Sequence, residues 1–187
     1  MSRDKSAPSL SEHQPPHEDP IIATVRNWER KGWNAGDRLA VSMSIVRVEQ
    51  ILRKAAEGVL RPHGISYSRH NLLLLLYFAR NGELPLGKIS SRLLVHPTSI
   101  TTTVDALAKT GLVERVPHPS DRRATLARIT DEGRAAVERS TTALSDWSPF
   151  ELGALTDAEA HTLFLLLQKV RASAGDFDLG SVAEADH

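Results

Sequence analysis

Between Pro97 and Thr110 the apolar residues Ile100, Val104 and Leu107 are spaced by four and three, which on a helix gathers them on one side. The opposite side then carries Thr98, Thr101, Thr102 and Asp105, flanked by Ser99 and Thr103. Threonine is a mediocre helix former, so a cluster of it on an exposed face has no obvious stability reason. Its hydroxyl can donate or accept at a polar edge and its methyl makes apolar contact, a combination suited to base edges and thymine methyls in a DNA groove. A solvated, Thr-rich helix is the competing reading. Further on, Ser120-Asp121-Arg122-Arg123 places two guanidiniums in a loop marked by Pro117 and Pro119. Guanidinium enters narrow minor grooves and pairs well with phosphate. A charge run in a loop is usually only a solvated turn; its place one hairpin beyond the Thr-bearing helix favours a DNA reading.

These groups work together only if defined elements hold them. Leu86 to Val95 reads as a short helix with Ile89, Leu93 and Leu94 inward, followed by a tight break at Val95-His96-Pro97. Pro97 suits the first position of the next helix, where its missing N–H costs nothing, and Gly111 ends that helix. Leu112 to Val116 and Thr125 to Ile129 read as two short strands. Two short helices, a tight turn and a hairpin make a winged helix-turn-helix, with Lys88, Arg92 and Lys109 as candidate phosphate contacts.

The flanks are helical. Ile21 to Trp33 predicts a short helix through Ile21, Val25 and Trp28, with Trp28 and Trp33 as core anchors. Asp37 to Arg61 carries one apolar seam, Val41, Ile45, Val48, Leu52, Ala55 and Val59, suited to packing on other helices or a second subunit. Ser66 to Asn81 is apolar on nearly all sides at Leu72 to Phe78, hence deeply buried, and Asn81-Gly82 closes it. Thr130 is a plausible N-cap for a long helical region with Asp131 and Glu132 in its first turn. Val137, Leu144 and Trp147 mark its apolar face. After a break at Ser148-Pro149, a last helix carries Leu163 to Leu167 and ends near Gly175.

Composition narrows the function class. Lys plus Arg and Asp plus Glu number 23 each, so the net charge is zero. Residues 84–130 nevertheless hold seven basic side chains against three acidic ones, while the stretch after Ala172 holds Asp176, Asp178, Glu184 and Asp186 with no Lys or Arg. Basic surface, where it exists, is local. The absence of cysteine removes disulfides, Cys-ligated zinc and thiol-based oxidation sensing. The eight histidines are scattered without metal-ligand spacing, and no phosphate loop, nucleophile elbow or catalytic carboxylate pair is visible, so neither an enzyme nor a cofactor is expected. The Pro/Ser-rich N-terminus lacks a signal-peptide apolar stretch, and the Leu72–Leu76 run is far shorter than the roughly 20 residues a membrane span needs. A cytoplasmic protein without membrane contact is expected.

The stretch LVERVPHPSDRRATLARITDEG, Leu112 to Gly133, resembles the wing signature of the MarR family, including the Asp121 and Arg123 pair and the closing Ile129-Thr130. GKISSRLLVHPTSITTTVDALAKTG, Gly87 to Gly111, resembles that family's helix-turn-helix, and the likeness runs from Asp37 to about Phe177. The sequence departs from the family at Thr102 and Ala106, where relatives often carry Arg, at Leu94, where many have Gly, and at His96, where a Ser usually caps the helix. The chemistry of the side chains assigns base contacts to Thr98, Ser99, Thr101, Thr102 and Asp105 and minor-groove contacts to Arg122 and Arg123, with Asp121 stabilising the wing. The resemblance implies an obligate homodimer that represses its own or nearby genes from a palindromic DNA operator. It also implies release by a small, often aromatic, effector between the dimerisation and DNA-binding regions, where Tyr67, Arg69 and His70 offer one aromatic and two polar handles.

The expected fold is therefore mainly α. A disordered tail (1–20) precedes N-terminal helices of core and dimerisation (21–83), a winged helix-turn-helix (84–130), C-terminal dimerisation helices (131–177) and an acidic disordered tail (178–187). A ligand-independent architectural DNA-binding protein and a winged-helix protein-interaction module are the alternatives.

Overall fold

The computed structural model describes residues 19–34, 36–121, 124–146 and 154–177. The expectations for residues 1–18, for Arg122 and Arg123, for Trp147, Ser148 and Pro149, and for 178–187 lie outside the described residues. The chain divides into two units, residues 1–147 and 148–187. Among the described residues no helix is long and apolar enough to cross a membrane.

The first unit runs α1 (Pro20–Arg30), α2 (Asp37–Leu60), α3 (Tyr67–Tyr77), β1 (Glu83–Pro85), α4 (Leu86–Leu93), α5 (Pro97–Lys109), β2 (Val113–Pro117), β3 (Thr125–Ile129) and α6 (Asp131–Ser145). Helix α1 starts at Pro20, one residue inside the expected tail, because the Asp19 carboxylate accepts from Ile21 N–H at 2.8 Å and caps it. The indoles of Trp28 and Trp33 are not core anchors. They lie edge to face, centroids 5.3 Å apart, and are 36% and 58% exposed.

Helix α3 is the hub of the unit. Leu72, Leu73 and Leu76 are fully buried among Leu60 of α2, Ile89 of α4, Val104 and Leu107 of α5, and Val137 of α6. The C-terminal half of α2 joins this core through Ala56 and Leu60, whereas Val41, Ile45 and Val48 of its N-terminal half are exposed. Helix α6 was expected in a dimerisation region with the last helix. Within the first unit it packs against α2 and α3, burying Val137, Ser140 and Leu144.

The antiparallel sheet has the order β1-β3-β2, with Glu83 opposite Arg128 and Val113 opposite Ile129. Strand β1 went unforeseen, and α3 ends at Tyr77 rather than Asn81, because Ala79 turns extended and Asn81 adopts a positive φ of 62°. Thr130 caps α6 as expected, its hydroxyl accepting from Gly133 N–H at 3.0 Å while donating to the Gly111 carbonyl at 2.7 Å. In the second unit, α7 (Asp157–Ser173) opens with a capping box. The Glu159 carboxylate accepts from Thr156 N–H at 2.8 Å and is held below its ordinary pKa chiefly by that bond. Leu163, Phe164, Leu165, Leu166 and Val170 are exposed on α7.

Candidate nucleic-acid interface

Helix α5 buries Ile100, Val104 and Leu107 and turns its other side outward, so the periodicity reads correctly. Its N-terminus is capped by the His96 imidazole, whose Nδ1 accepts from Thr98 N–H at 3.3 Å. Leu94, expected inward, instead occupies the left-handed region at φ 52°, closing α4 where glycine is the least strained residue. Its side chain is 79% exposed. The hydroxyls of Thr101, Thr102 and Thr103 donate to the carbonyls of Pro97, Thr98 and Ser99, at 3.1, 3.0 and 2.8 Å. Each hydroxyl proton is thus engaged on the helix itself, leaving an acceptor oxygen and a methyl group. Thr98, Ser99 and Thr102 are exposed, and Thr101 and Asp105 partly so.

Lys88 and Arg92 on α4 and Lys109 at the end of α5 are exposed and make no ion pair among the described residues. Two other cations of the region are engaged. Arg115 of β2 is ion-paired with Asp105 of α5, and Arg128 of β3 binds Glu83 of β1 at 2.6 Å, across the register that sets them opposite. Asp105, read as a DNA-facing group, is therefore also a link between helix and hairpin, and sequence reasoning missed it. The hairpin tip holds a second unforeseen group. His118 Nδ1 accepts from the N–H groups of Ser120 and Asp121 at 3.3 and 3.2 Å, and the Asp121 carbonyl accepts from Ala124 N–H at 3.0 Å. Arg123, the expected companion of Asp121, lies outside the described residues.

The three candidate effector residues do not form one surface. His70 is buried, 2% exposed, between α3 and α6. The Ser140 hydroxyl donates to the Ala136 carbonyl at 2.8 Å, which leaves its oxygen to accept from His70 Nδ1–H at 2.9 Å. Burial lowers the His70 pKa below its ordinary 6.5. Tyr67 and Arg69 are half-buried. The Arg53 guanidinium stands 5.7 Å from the centre of the Tyr67 ring, and Tyr67 N–H donates to Glu57 at 2.9 Å. A groove of about 380 Å³ lies elsewhere, between α1 and α2, lined by Pro20, Ile21, Met43 and Val46 with Arg47 and Gln50.

This arrangement has known counterparts. The MarR family model matches residues 65–125, from the residue before the α3 cap to the start of β3. The solved structure of Sco5413, a MarR family transcriptional regulator of Streptomyces coelicolor, is 45% identical, with a TM-score of 0.68 over 75% of this chain and 97% of that one. The chain belongs to the MarR family. A mutant MarR of Escherichia coli in complex with operator DNA is 28% identical, with a TM-score of 0.65 over 70% of this chain and 92% of that one. An HTH-type transcriptional regulator of Mycobacterium leprae is 30% identical over 110 residues, 59% of this chain and 74% of that protein. This MarR-family protein is accordingly a DNA-binding transcriptional regulator and not an enzyme, with a mainly helical winged helix-turn-helix fold.

Proposed function

We propose that this MarR-family regulator is a homodimeric repressor of a palindromic operator, with α5 of each protomer in a major groove and each wing in the flanking minor groove. The observation that carries the DNA assignment is the outward side of α5, where Thr98, Ser99 and Thr102 are exposed and Thr101 partly so, together with the exposed cations Lys88 and Arg92 of α4 and Lys109 of α5. Threonine methyls and acceptor oxygens favour A·T-rich half-sites, since adenine offers an N6 donor and thymine a methyl in the major groove. Arg122 and Arg123 supply the salt-sensitive share of affinity. Dimerisation is supported by the apolar residues that a lone chain leaves exposed on α2, Val41, Ile45 and Val48, and on α7, Leu163 to Leu166. A gel shift against the DNA upstream of the protein's own gene, with random competitor, tests the repressor reading. A retarded band that outlasts random competitor supports it, and no shift, or equal competition by random DNA, refutes it. Light scattering that finds a folded monomer at micromolar concentration refutes the dimer.

We further propose release by a small aromatic effector near Tyr67 and Arg69. The half-buried phenol stacked under Arg53 supports that placement, and His70 acts from the core by positioning α3. Titrating the operator complex with aromatic acids and their thioesters tests it. Release by a panel member that Tyr67→Ala abolishes supports this site, whereas release unaffected by Tyr67→Ala moves the effector elsewhere.

A further inference from the structure

A carboxylate in the middle of a surface that meets phosphate is electrostatically out of place. At about 100° of rotation per residue, Thr98, Thr101, Thr102, Asp105 and Lys109 fall on one stripe of α5. Asp105 stands between Thr102 and Lys109, where polyanionic DNA disfavours it. It is paired with Arg115 of the neighbouring strand, and the side chains of the two are 48% and 37% exposed. A pair so open to water adds little to stability, so folding gives no strong reason for it. What the pairing does change is the charge that an approaching duplex meets. Arg115 is a guanidinium at the junction of helix and wing, and Asp105 occupies it as a phosphate would.

We propose that Asp105 is a specificity-determining residue that acts through Arg115. The carboxylate stands in for phosphate, so that random DNA encounters a neutral pair. Only a duplex seated closely enough by base contacts along α5 competes for the guanidinium. Asp105 thereby lowers affinity for random DNA more than affinity for the operator. This inference rests on the reading of α5 and the wing as the DNA interface.

The test uses the full-length protein, a duplex selected by the wild type from a randomised pool, and a scrambled duplex of equal length. Dissociation constants are measured at several salt concentrations for wild type, Asp105→Asn, Arg115→Gln and the double variant. Asparagine keeps the shape and can still accept from Arg115, and thermal melts confirm folding. Asp105→Asn is expected to bind the scrambled duplex at least about threefold tighter and to narrow the selected-to-scrambled ratio. Its plot of log K against log salt should steepen by about 0.9 for each phosphate gained. In the Arg115→Gln background the same change should leave that slope unaltered. An unchanged slope and ratio for Asp105→Asn overturns the proposal. Weaker binding of both duplexes at constant slope overturns it too, leaving the pair as a brace between α5 and the wing. An equal gain with and without Arg115 overturns it as a plain loss of negative charge. A wild type that does not prefer its selected duplex refutes the DNA-interface reading itself, whereas a selective wild type with a silent Asp105→Asn refutes only this inference.

Discussion

Replacing Gly133 by alanine tests how the wing is tied to the helix that follows it. In isolation the change favours folding, since alanine is the better helix former by up to about 1 kcal/mol. Here a Cβ on Gly133 falls inside van der Waals contact with the Leu112 carbonyl oxygen, 2.8 Å from Ile129 Cγ1 and 3.1 Å from the Leu112 carbonyl carbon. The obstacle is largely backbone, and it cannot rotate away as a side-chain tip does. The Leu112 carbonyl also accepts from Thr130 N–H at 3.2 Å, so relief of the clash stretches that bond. Overpacking costs about 1–3 kcal/mol and a weakened hydrogen bond about 1 kcal/mol more. Against the propensity gain, the net loss is about 1–3 kcal/mol, or a Tm fall of roughly 2–12 °C for a chain of this size. The matched control is Gly58→Ala in α2, where a Cβ meets nothing within 4 Å and propensity acts alone. Differential scanning calorimetry of both variants separates the effects: Gly58→Ala should raise Tm and Gly133→Ala should lower it. Equal Tm rises in the two would refute the reasoning.

His70→Asn should remove part of the acid sensitivity of folding. Burial lowers the folded-state pKa of His70 below 6.5, so below about pH 6.5 the unfolded chain takes up a proton that the folded chain resists, and stability falls until the folded pKa is passed. Urea midpoints at pH 5.5 and 7.5 should differ more for wild type than for His70→Asn. Leu94→Gly should stabilise by about 0.5–1 kcal/mol, the strain of a left-handed leucine less the extra chain entropy of glycine, and an unchanged or lower denaturation midpoint would contradict this. Arg123→Ala should weaken operator and random DNA together by about 1–3 kcal/mol and flatten the salt dependence, whereas Thr102→Ala should narrow their difference at nearly constant slope; titrations at several salt concentrations read both.

What the sequence discloses follows the range of the interaction involved. The turn at Pro97, the inward face of α5, the span Thr125–Ile129 and the Thr130 cap are encoded within a few residues, and each stands where local rules put it. Strand β1 has three residues, one of them proline, too few for alternation to register. It exists because β3 offers it an edge. His70 reads as a polar handle because it lies at the start of α3 with Tyr67 and Arg69, but it is buried, and the hydroxyl that satisfies the ring stands on α6. The two tryptophans suggested a core by their size alone, and in this chain they find each other. Leu94 reads as inward only if the helix continues to Val95, two residues past its end at Leu93; the resemblance, which implies glycine there in many relatives, is the sequence clue to a left-handed turn.

Charge counting overstates the electrostatic reach of the interface. Of the seven basic residues in 84–130, Arg115 and Arg128 are held by Asp105 and Glu83. Among the described residues this leaves Lys88, Arg92 and Lys109 without an ion-pair partner. On the proposed DNA-binding reading, each cation held in such a pair contributes less to counterion release, and the share of affinity left to fit grows. Fit depends on the fixed placement of α5 relative to the hairpin. Asp105 of α5 pairs with Arg115 of β2, Glu83 of β1 with Arg128 of β3, and the Thr130 hydroxyl donates to the Gly111 carbonyl just beyond α5. On the proposed reading these pairs lower the charge that a duplex meets, so a chain of zero net charge recognises a polyanion more through shape and base contacts than through charge.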